Sequence, residues 1–380
     1  MHDTAAETNT RPSFEQASDL RHRALLAGMN PNYWYPAEHA HRVPRGKVRE
    51  VVFQGQSIAL YRGRDGRLGA MENRCAHRHI KLSLGHVKGC DLVCIYHGWH
   101  YDNDGRLVRM EHDHFGKKLP KIQLRRYPVR ERYGLVWIFP GDPELAGRVP
   151  LPEVLHADGP DRWASLSFDY VWRAHHSMVI DNLCNLTHFY THGKWVPYGE
   201  THLAHHGLEH GERIELTWRS TLRRDFSWPV SKRIFLKPGT ENESDTDMVY
   251  DYPYQTAVSN GRIRSCNFMR PIDDEHTRVF TIQLWQGPRL PGTRAHVPPE
   301  AMQVLTPLIR PITREIFRQD GVTVEAEQEA MEAHFDRPLP EPNPAVKLFN
   351  QVTVDKWAQY LEANERGDAA SSTQFRTKVL

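Results

Sequence analysis

Two short segments constrain this 380-residue chain more than any other feature: Cys75-Ala76-His77 and Cys94-Ile95-Tyr96-His97, separated by sixteen residues. Each brings one thiol and one imidazole. Two cysteines and two histidines divided in this way suit a [2Fe–2S] cluster with thiolates on one iron and imidazoles on the other. Neutral imidazole makes such a cluster less negative and raises its potential to about −150 to +300 mV, against about −400 mV for an all-cysteine cluster. Tetrahedral zinc is the competing reading, although zinc sites usually pair Cys with Cys and His with His. A cluster of raised potential can pass single electrons to an oxygen-activating metal. The remaining sequence should therefore contain an acceptor.

Between Arg49 and Pro140 the pattern is β-rich. Val51-Val52-Phe53 and Ile58-Ala59-Leu60-Tyr61 read as strands, and the Arg64-Asp65-Gly66-Arg67 turn leads into another. Both Cys–His pairs fall on loops, and Asn103-Asp104-Gly105 makes a further hairpin turn. Tyr133 to Phe139 is an apolar strand, after which Gly141-Asp142-Pro143 marks a boundary. Beyond it, Ser177 to Tyr190 reads as a helix. Ile214 to Trp218 and Val279 to Trp285 alternate like half-buried strands. Pro298 to Phe335 is mostly helical with an interruption near Pro311, and Val354 to Asn364 forms a terminal helix. Strands followed by long helices predict an α+β fold. The first dozen residues, and those from Glu365 onward, read as flexible termini.

Composition narrows the function classes. The net charge of +2 argues against nucleic-acid binding driven by bulk electrostatics. No apolar run approaches the roughly 20 residues of a membrane span, and the polar, acidic start lacks a signal-peptide pattern. A cytoplasmic protein without membrane partners is expected. Five cysteines, two of them in the metal-type motif, argue against a disulfide framework. Cys90, Cys184 and Cys266 are expected to be buried thiols.

The acceptor is suggested by Asp181, Asn185, His188 and His192, at i, i+4, i+7 and i+11, which on a helix share one face. Two histidines and one carboxylate with open positions form the facial triad of oxygen-activating Fe(II). The third ligand must come from elsewhere, and spacing alone leaves Asp320, Glu315 and Glu325 open. An acidic residue at the start of a helix, where Asp320 is expected, also fits capping or dipole compensation. His175, His176, His202, His205, His206 and His210 have no fixed spacing with carboxylates and read as surface-loop residues. Arg78, Lys81, Lys88, Lys117, Lys118, Arg125 and Arg126 read as solvated charge, with a docking face for an acidic partner as the alternative. Phe189, Tyr190, Trp195, Trp218, Phe226, Trp228, Phe268, Met269 and Trp285 read mainly as core, with some as pocket walls.

Cys75-Ala76-His77-Arg78 and Cys94-Ile95-Tyr96-His97-Gly98-Trp99 resemble the two loops of the Rieske iron–sulfur domain, over about residues 33 to 148. Asp181-Asn182-Leu183-Cys184-Asn185-Leu186-Thr187-His188-Phe189-Tyr190-Thr191-His192 resembles the mononuclear-iron segment of Rieske non-haem iron oxygenase large subunits. Asp320, with Glu325 and Gln328, is similar to that family's D-x-x-x-x-E-x-x-Q stretch, in which the aspartate is the third iron ligand. The histidine spacing and Asn32-Tyr33-Trp34-Tyr35-Pro36 are similar to the carbazole dioxygenase branch.

The resemblance implies an N-terminal segment (1–32) packing on the catalytic domain, a Rieske domain (33–148) and a helix-grip catalytic domain with an antiparallel sheet (149–380). It also implies a [2Fe–2S] cluster on Cys75, His77, Cys94 and His97, and mononuclear Fe(II) on His188, His192 and Asp320. O2 would be the co-substrate. Electrons would come from NAD(P)H through a separate flavin reductase or ferredoxin, since G-x-G-x-x-G is absent. A head-to-tail homotrimer and hydroxylation of an aromatic or other hydrophobic substrate follow, with O- or N-demethylation as the alternative. The family carries Asp where this chain has Asn185, and that carboxylate bridges the iron site to a Rieske histidine of the neighbouring subunit. Asn185, with Asp181 as a possible substitute carboxylate, is therefore the candidate catalytic position. An electron carrier that has lost oxygen activation through Asn185 is the reading from a different class.

Overall fold

The structure is a computed structural model that describes residues 12–371 except 18, 113–115, 160, 194, 197, 224–235, 238, 291 and 294. Phe226, Trp228 and the stretches 1–11 and 372–380 lie outside the described residues.

The chain begins with α1 (Leu20–Leu26), capped by the Asp19 carboxylate on the His22 amide, and β1 (Tyr35–His39). The expected hairpins follow as β2 (Val48–Phe53), β3 (Gln56–Arg62) and β4 (Leu68–Glu72), one antiparallel sheet. A second small sheet holds β5 (His86–Lys88), β6 (Asp91–Val93), β7 (Trp99–Tyr101) and β8 (Leu107–Met110). Then β9 (Val129–Arg132) and β10 (Leu135–Ile138) join β1 in the order β1-β10-β9. Leu82, Leu92, Tyr101 and Leu107 form a core that also encloses Cys75 and Cys94.

The second part is a seven-stranded antiparallel sheet. It comprises β11 (Ala164–Trp172), β12 (Tyr198–Glu209), β13 (Arg213–Leu222), β14 (Glu243–Asp251), β15 (Tyr254–Ser259), β16 (Ile263–Pro271) and β17 (Thr277–Trp285), in the order β11-β17-β16-β15-β14-β13-β12. Against it pack α2 (His176–Cys184), α3 (Pro299–Gln303), α4 (Thr306–His334) and α5 (Pro344–Ser371). The class is α+β, as expected. No described helix is long and apolar enough to cross a membrane.

Several expectations need correction. The helix over Ser177–Tyr190 stops at Cys184. Asn185 is extended (φ −110°, ψ 111°), and a 3-10 turn runs from Leu186 to His192. The Asn185 side-chain oxygen Oδ1 accepts from the Thr187 amide at 3.0 Å and from the Thr187 hydroxyl at 2.7 Å, the local side-chain competition that ends helices. The break near Pro311 lies instead at Val304-Leu305, and Pro311 sits inside α4. The terminal helix is longer than expected and runs through Ser371, past Glu365. Strand β17 is buried on both faces because Phe280, Ile282 and Leu284 pack against Trp34, Trp137 and Phe139 of the first part. His175 and His176 are buried rather than on the surface, and both imidazole Nε2 atoms lie near the Ala27 carbonyl. Cys184 and Cys266 are buried, but Cys90 is only half-buried.

Candidate metal centres

The first centre is built on two turns at the edge of the β5–β8 sheet. Cys75 and Cys94 are 2 % and 3 % exposed, whereas His77 is exposed and His97 half-buried. Thiols thus lie inside and imidazoles at the surface. The Gly98 amide donates to the Cys94 carbonyl at 3.1 Å, and Gly98 has φ +61°. A Cβ there would approach Glu111 Cβ to 2.8 Å, so the turn requires glycine. The His77 ring stacks on Trp99 with centroids 4.7 Å apart and lies 4.5 Å from the His97 ring. Cys94 is pulled down to about 6 by a hydrogen bond from Cys75 and by the Tyr96 and His97 amides, while the same bond pushes Cys75 up. Tyr101, which sequence reasoning missed, accepts from the Ala76 amide at 3.1 Å, which leaves its hydroxyl proton for Cys75 Sγ at 3.3 Å.

These four residues do not converge on one point. Among the described residues, the one group of three or more candidate ligand atoms lying within 4.8 Å of one another is His188, His192 and Asp320. A tetrahedral zinc with bonds of about 2.0–2.3 Å would bring its four ligands closer together than that. Separate thiol and imidazole pairs fit a two-iron cluster better.

The second centre joins the 3-10 turn to the middle of α4. Asp320 is not at a helix start, as expected, but fourteen residues in, so neither capping nor the terminal dipole explains it. Its Oδ1 lies 3.3 Å from His188 Nε2 and 3.2 Å from His192 Nε2. That oxygen is buried and has no hydrogen-bond partner of acceptable geometry. A divalent cation is the group that would satisfy one carboxylate oxygen and two imidazole nitrogens turned to the same point. Burial raises the Asp320 carboxyl, but contacts with His188 and His192 outweigh it and leave it lowered.

Glycine at 321 allows the close approach of α4 to β11. A Cβ there would lie 2.5 Å from Trp172 Nε1. The competing carboxylates are engaged elsewhere. Glu315 is paired with Arg318 at 2.7 Å, and Glu325 accepts the Arg173 amide at 3.1 Å.

Asp181 and the two histidines do not lie on one continuous helix, because α2 ends at Cys184 and Asn185 caps the 3-10 turn that follows. Asp181 is buried against Arg21 of α1, which also reaches Glu327 at 2.9 Å and Asn350 at 3.2 Å. Burial raises the Asp181 carboxyl to about 7 against the pull of Arg21. This pair ties α1 to α2 and engages one oxygen of the carboxylate proposed to stand in for the one missing at 185. A basic N-terminal helix gives no hint of that pairing in sequence. Of the basic residues set aside as surface charge, Lys81, Lys88 and Arg126 pair with Glu50, Glu111 and Asp104. Trp218, Phe268, Met269 and Trp285 are core, while Tyr190 is 83 % exposed. His202, His205, His206 and His210 are exposed.

Comparison with known proteins is consistent with this geometry. Residues 33–123 match the family described as Rieske [2Fe-2S] domain, and residues 172–355 match the Vanillate O-demethylase oxygenase C-terminal domain. The chain is 35 % identical over 357 residues to a 4β-methylsterol monooxygenase of Methylococcus capsulatus, covering 91 % of this chain and 93 % of that protein. It is 36 % identical over 162 residues to a vanillate O-demethylase oxygenase subunit of a Pseudomonas strain, covering 41 % of this chain and 43 % of that one. Among solved structures, dicamba monooxygenase bound to dicamba superposes with TM-score 0.66 at 20 % identity, over 90 % of this chain and all of the other. The terminal oxygenase of carbazole 1,9a-dioxygenase from Nocardioides aromaticivorans gives 0.60 at 18 % identity, over 88 % and 96 %. At these identities the structural likeness concerns the fold.

Proposed function

The chain belongs to the Rieske oxygenases, as a large subunit with a [2Fe–2S] cluster and a mononuclear iron, and from that premise we propose that it is the terminal component of a multicomponent monooxygenase acting on a methyl or ring carbon of a hydrophobic substrate. The observation that carries this is Asp320 Oδ1, buried, without a hydrogen-bond partner and facing both histidine Nε2 atoms. A methyl carbon as the target is supported by relatives named for a methylsterol and for O-demethylation.

In this reading Cys75 and Cys94 hold one cluster iron, His77 and His97 the other, and His188, His192 and Asp320 hold the mononuclear iron. Loaded, the two sites supply one-electron transfer and O2 activation. His188 and His192 offer fixed neutral nitrogens, and Asp320 offsets part of the metal charge. The side chains of His192 and Asp320 are each 7 % exposed and that of His188 is 21 % exposed, so access runs past His188. A separate reductase or ferredoxin would deliver NAD(P)H electrons to the surface imidazoles. Ile95 and Tyr96, 61 % and 55 % exposed beside His97, suit burial by a second subunit in a head-to-tail trimer, where one subunit's cluster serves the next subunit's iron.

The test is anaerobic reconstitution followed by metal analysis. About three irons per chain are expected, two in the cluster and one beyond it. Turnover with a surrogate reductase on a 4-methylsterol, vanillate and toluene-4-sulfonate should add one oxygen or remove a methyl group. A folded, cluster-loaded protein with no further iron would sink the reading. Products with two added oxygens would replace monooxygenation by dioxygenation. The trimer has its own test: mixed His97→Ala and His188→Ala subunits should regain activity that neither has alone.

A further inference from the structure

The outer edge of the second centre is held by side chains on the turn of α4 that precedes Asp320. Gln319 Oε1 lies 3.3 Å from His192 Nδ1. The other end of the same amide, Nε2, donates to Glu315 Oε1 at 2.9 Å. Glu315 is itself gripped by Arg318 Nε and Nη2 at 2.8 and 2.7 Å. An ionised carboxylate only accepts hydrogen bonds. Were the Gln319 amide reversed, its carbonyl would face that carboxylate, two acceptors in contact. The Arg318 guanidinium and the Gln319 amide hold Glu315 ionised, lowered to about 2. Glu315 therefore sets the direction of the amide, and the amide presents its oxygen to His192.

We propose that Gln319, oriented by Glu315 and Arg318, is a positioning residue that fixes the His192 tautomer. With the Nδ1 proton donated to Gln319, the Nε2 lone pair is left free and points toward Asp320 Oδ1, 3.2 Å away. This is the form in which an imidazole binds a metal, and a partner on its second nitrogen also fixes the ring plane and raises its basicity. One surface ion pair thus reaches the metal site through a single amide. The inference rests on the assignment of His188, His192 and Asp320 as iron ligands.

Gln319→Leu keeps much of the bulk and removes the acceptor. Fe(II) is titrated anaerobically, against a competing chelator, into protein that carries its cluster but has been stripped of the mononuclear iron. The dissociation constant should rise about 10–100-fold. Cluster absorption and the thermal midpoint should stay at the parent values. The exchange variant Gln319→Glu/Glu315→Gln rebuilds the chain in reverse, with a carboxylate accepting from His192 and an amide donating to it, and should restore most of the affinity. Parent-like Fe(II) affinity in Gln319→Leu overturns the proposal. So does an equal loss in both variants accompanied by a lower midpoint, which marks a general packing role. If the parent protein itself takes up no Fe(II) beyond its cluster, the ligand assignment fails first and this proposal falls with it.

Discussion

Asn185 shows how much one side chain decides. The histidine spacing is compatible with a continuous helix, yet the Asn185 amide captures Thr187 and bends the chain into a tighter turn. Its measurable role is therefore a cap. Asn185→Ala should cost about 1 kcal/mol of stability, whereas Asn185→Asp, an equally good cap, should be within a few tenths; denaturant unfolding of the two variants separates them. If Asn185→Asp also leaves turnover unchanged, charge at this position has no part in coupling the two centres. A second residue-scale expectation concerns Tyr101. Its hydroxyl is within hydrogen-bonding range of Cys75 Sγ at 3.3 Å, and hydrogen bonds to the sulfurs raise a cluster's potential. A bond of about 1 kcal/mol corresponds to about 40 mV for a one-electron couple, in which tenfold is 59 mV. Tyr101→Phe should lower the potential by about that amount in a redox titration, and an unshifted potential would remove Tyr101 from the cluster's environment.

At the scale of elements, the second centre depends on how two segments meet. The 3-10 turn supplies the histidines, and α4 supplies the carboxylate only because it runs close against β11. Gly321 sits at the contact, with Trp172, 3 % exposed, filling the space a side chain would need. Gly321→Ala gains about 1 kcal/mol of helix propensity and must still displace a buried indole, at about 1–3 kcal/mol. The helix should shift and carry Asp320 with it. The expected result is a protein of equal or lower stability with the cluster retained and the mononuclear iron weakened, read by unfolding and metal content together; full iron at both sites would refute this account. The strand alternation was legible in β13, which has one face covered. It misled in β17, whose second face is covered by residues more than a hundred positions away in sequence.

For the whole molecule, a buried charge network joins the two parts. Arg278 of β17 binds Asp169 at 2.7 Å and Glu38 of β1 at 3.1 Å, and His39 reaches Asp169 at 3.0 Å. Burial raises the Asp169 carboxyl, but His39, Arg278 and Arg42 together hold it well below the usual carboxylate range. A group lowered on folding contributes stability that is present above the unfolded value, about 3.9, and is lost as pH falls below it. Asp169→Asn should therefore be less stable at pH 7, by about 3 kcal/mol since a buried pair is broken, and should lose stability less steeply below pH about 4. Thermal unfolding followed against pH checks both. An acid limb as steep as the parent's would show that other carboxylates dominate.

The chain by itself determined the features that depend on near neighbours. The two Cys–His pairs, the hairpins around them, the two histidines of the second centre and the α+β class all follow from spacing, turn residues and periodicity. The tertiary structure decided what depends on direction and burial across long separations. It brought Asp320, rather than Glu315 or Glu325, beside the two histidines, because one face of α4 meets the histidine turn and the other two carboxylates have partners elsewhere. It paired Asp181 with Arg21, buried His175 and His176, and set Gln319 between a surface ion pair and the His192 imidazole. No window of local sequence records which side chains a helix will face once the sheet beneath it has formed.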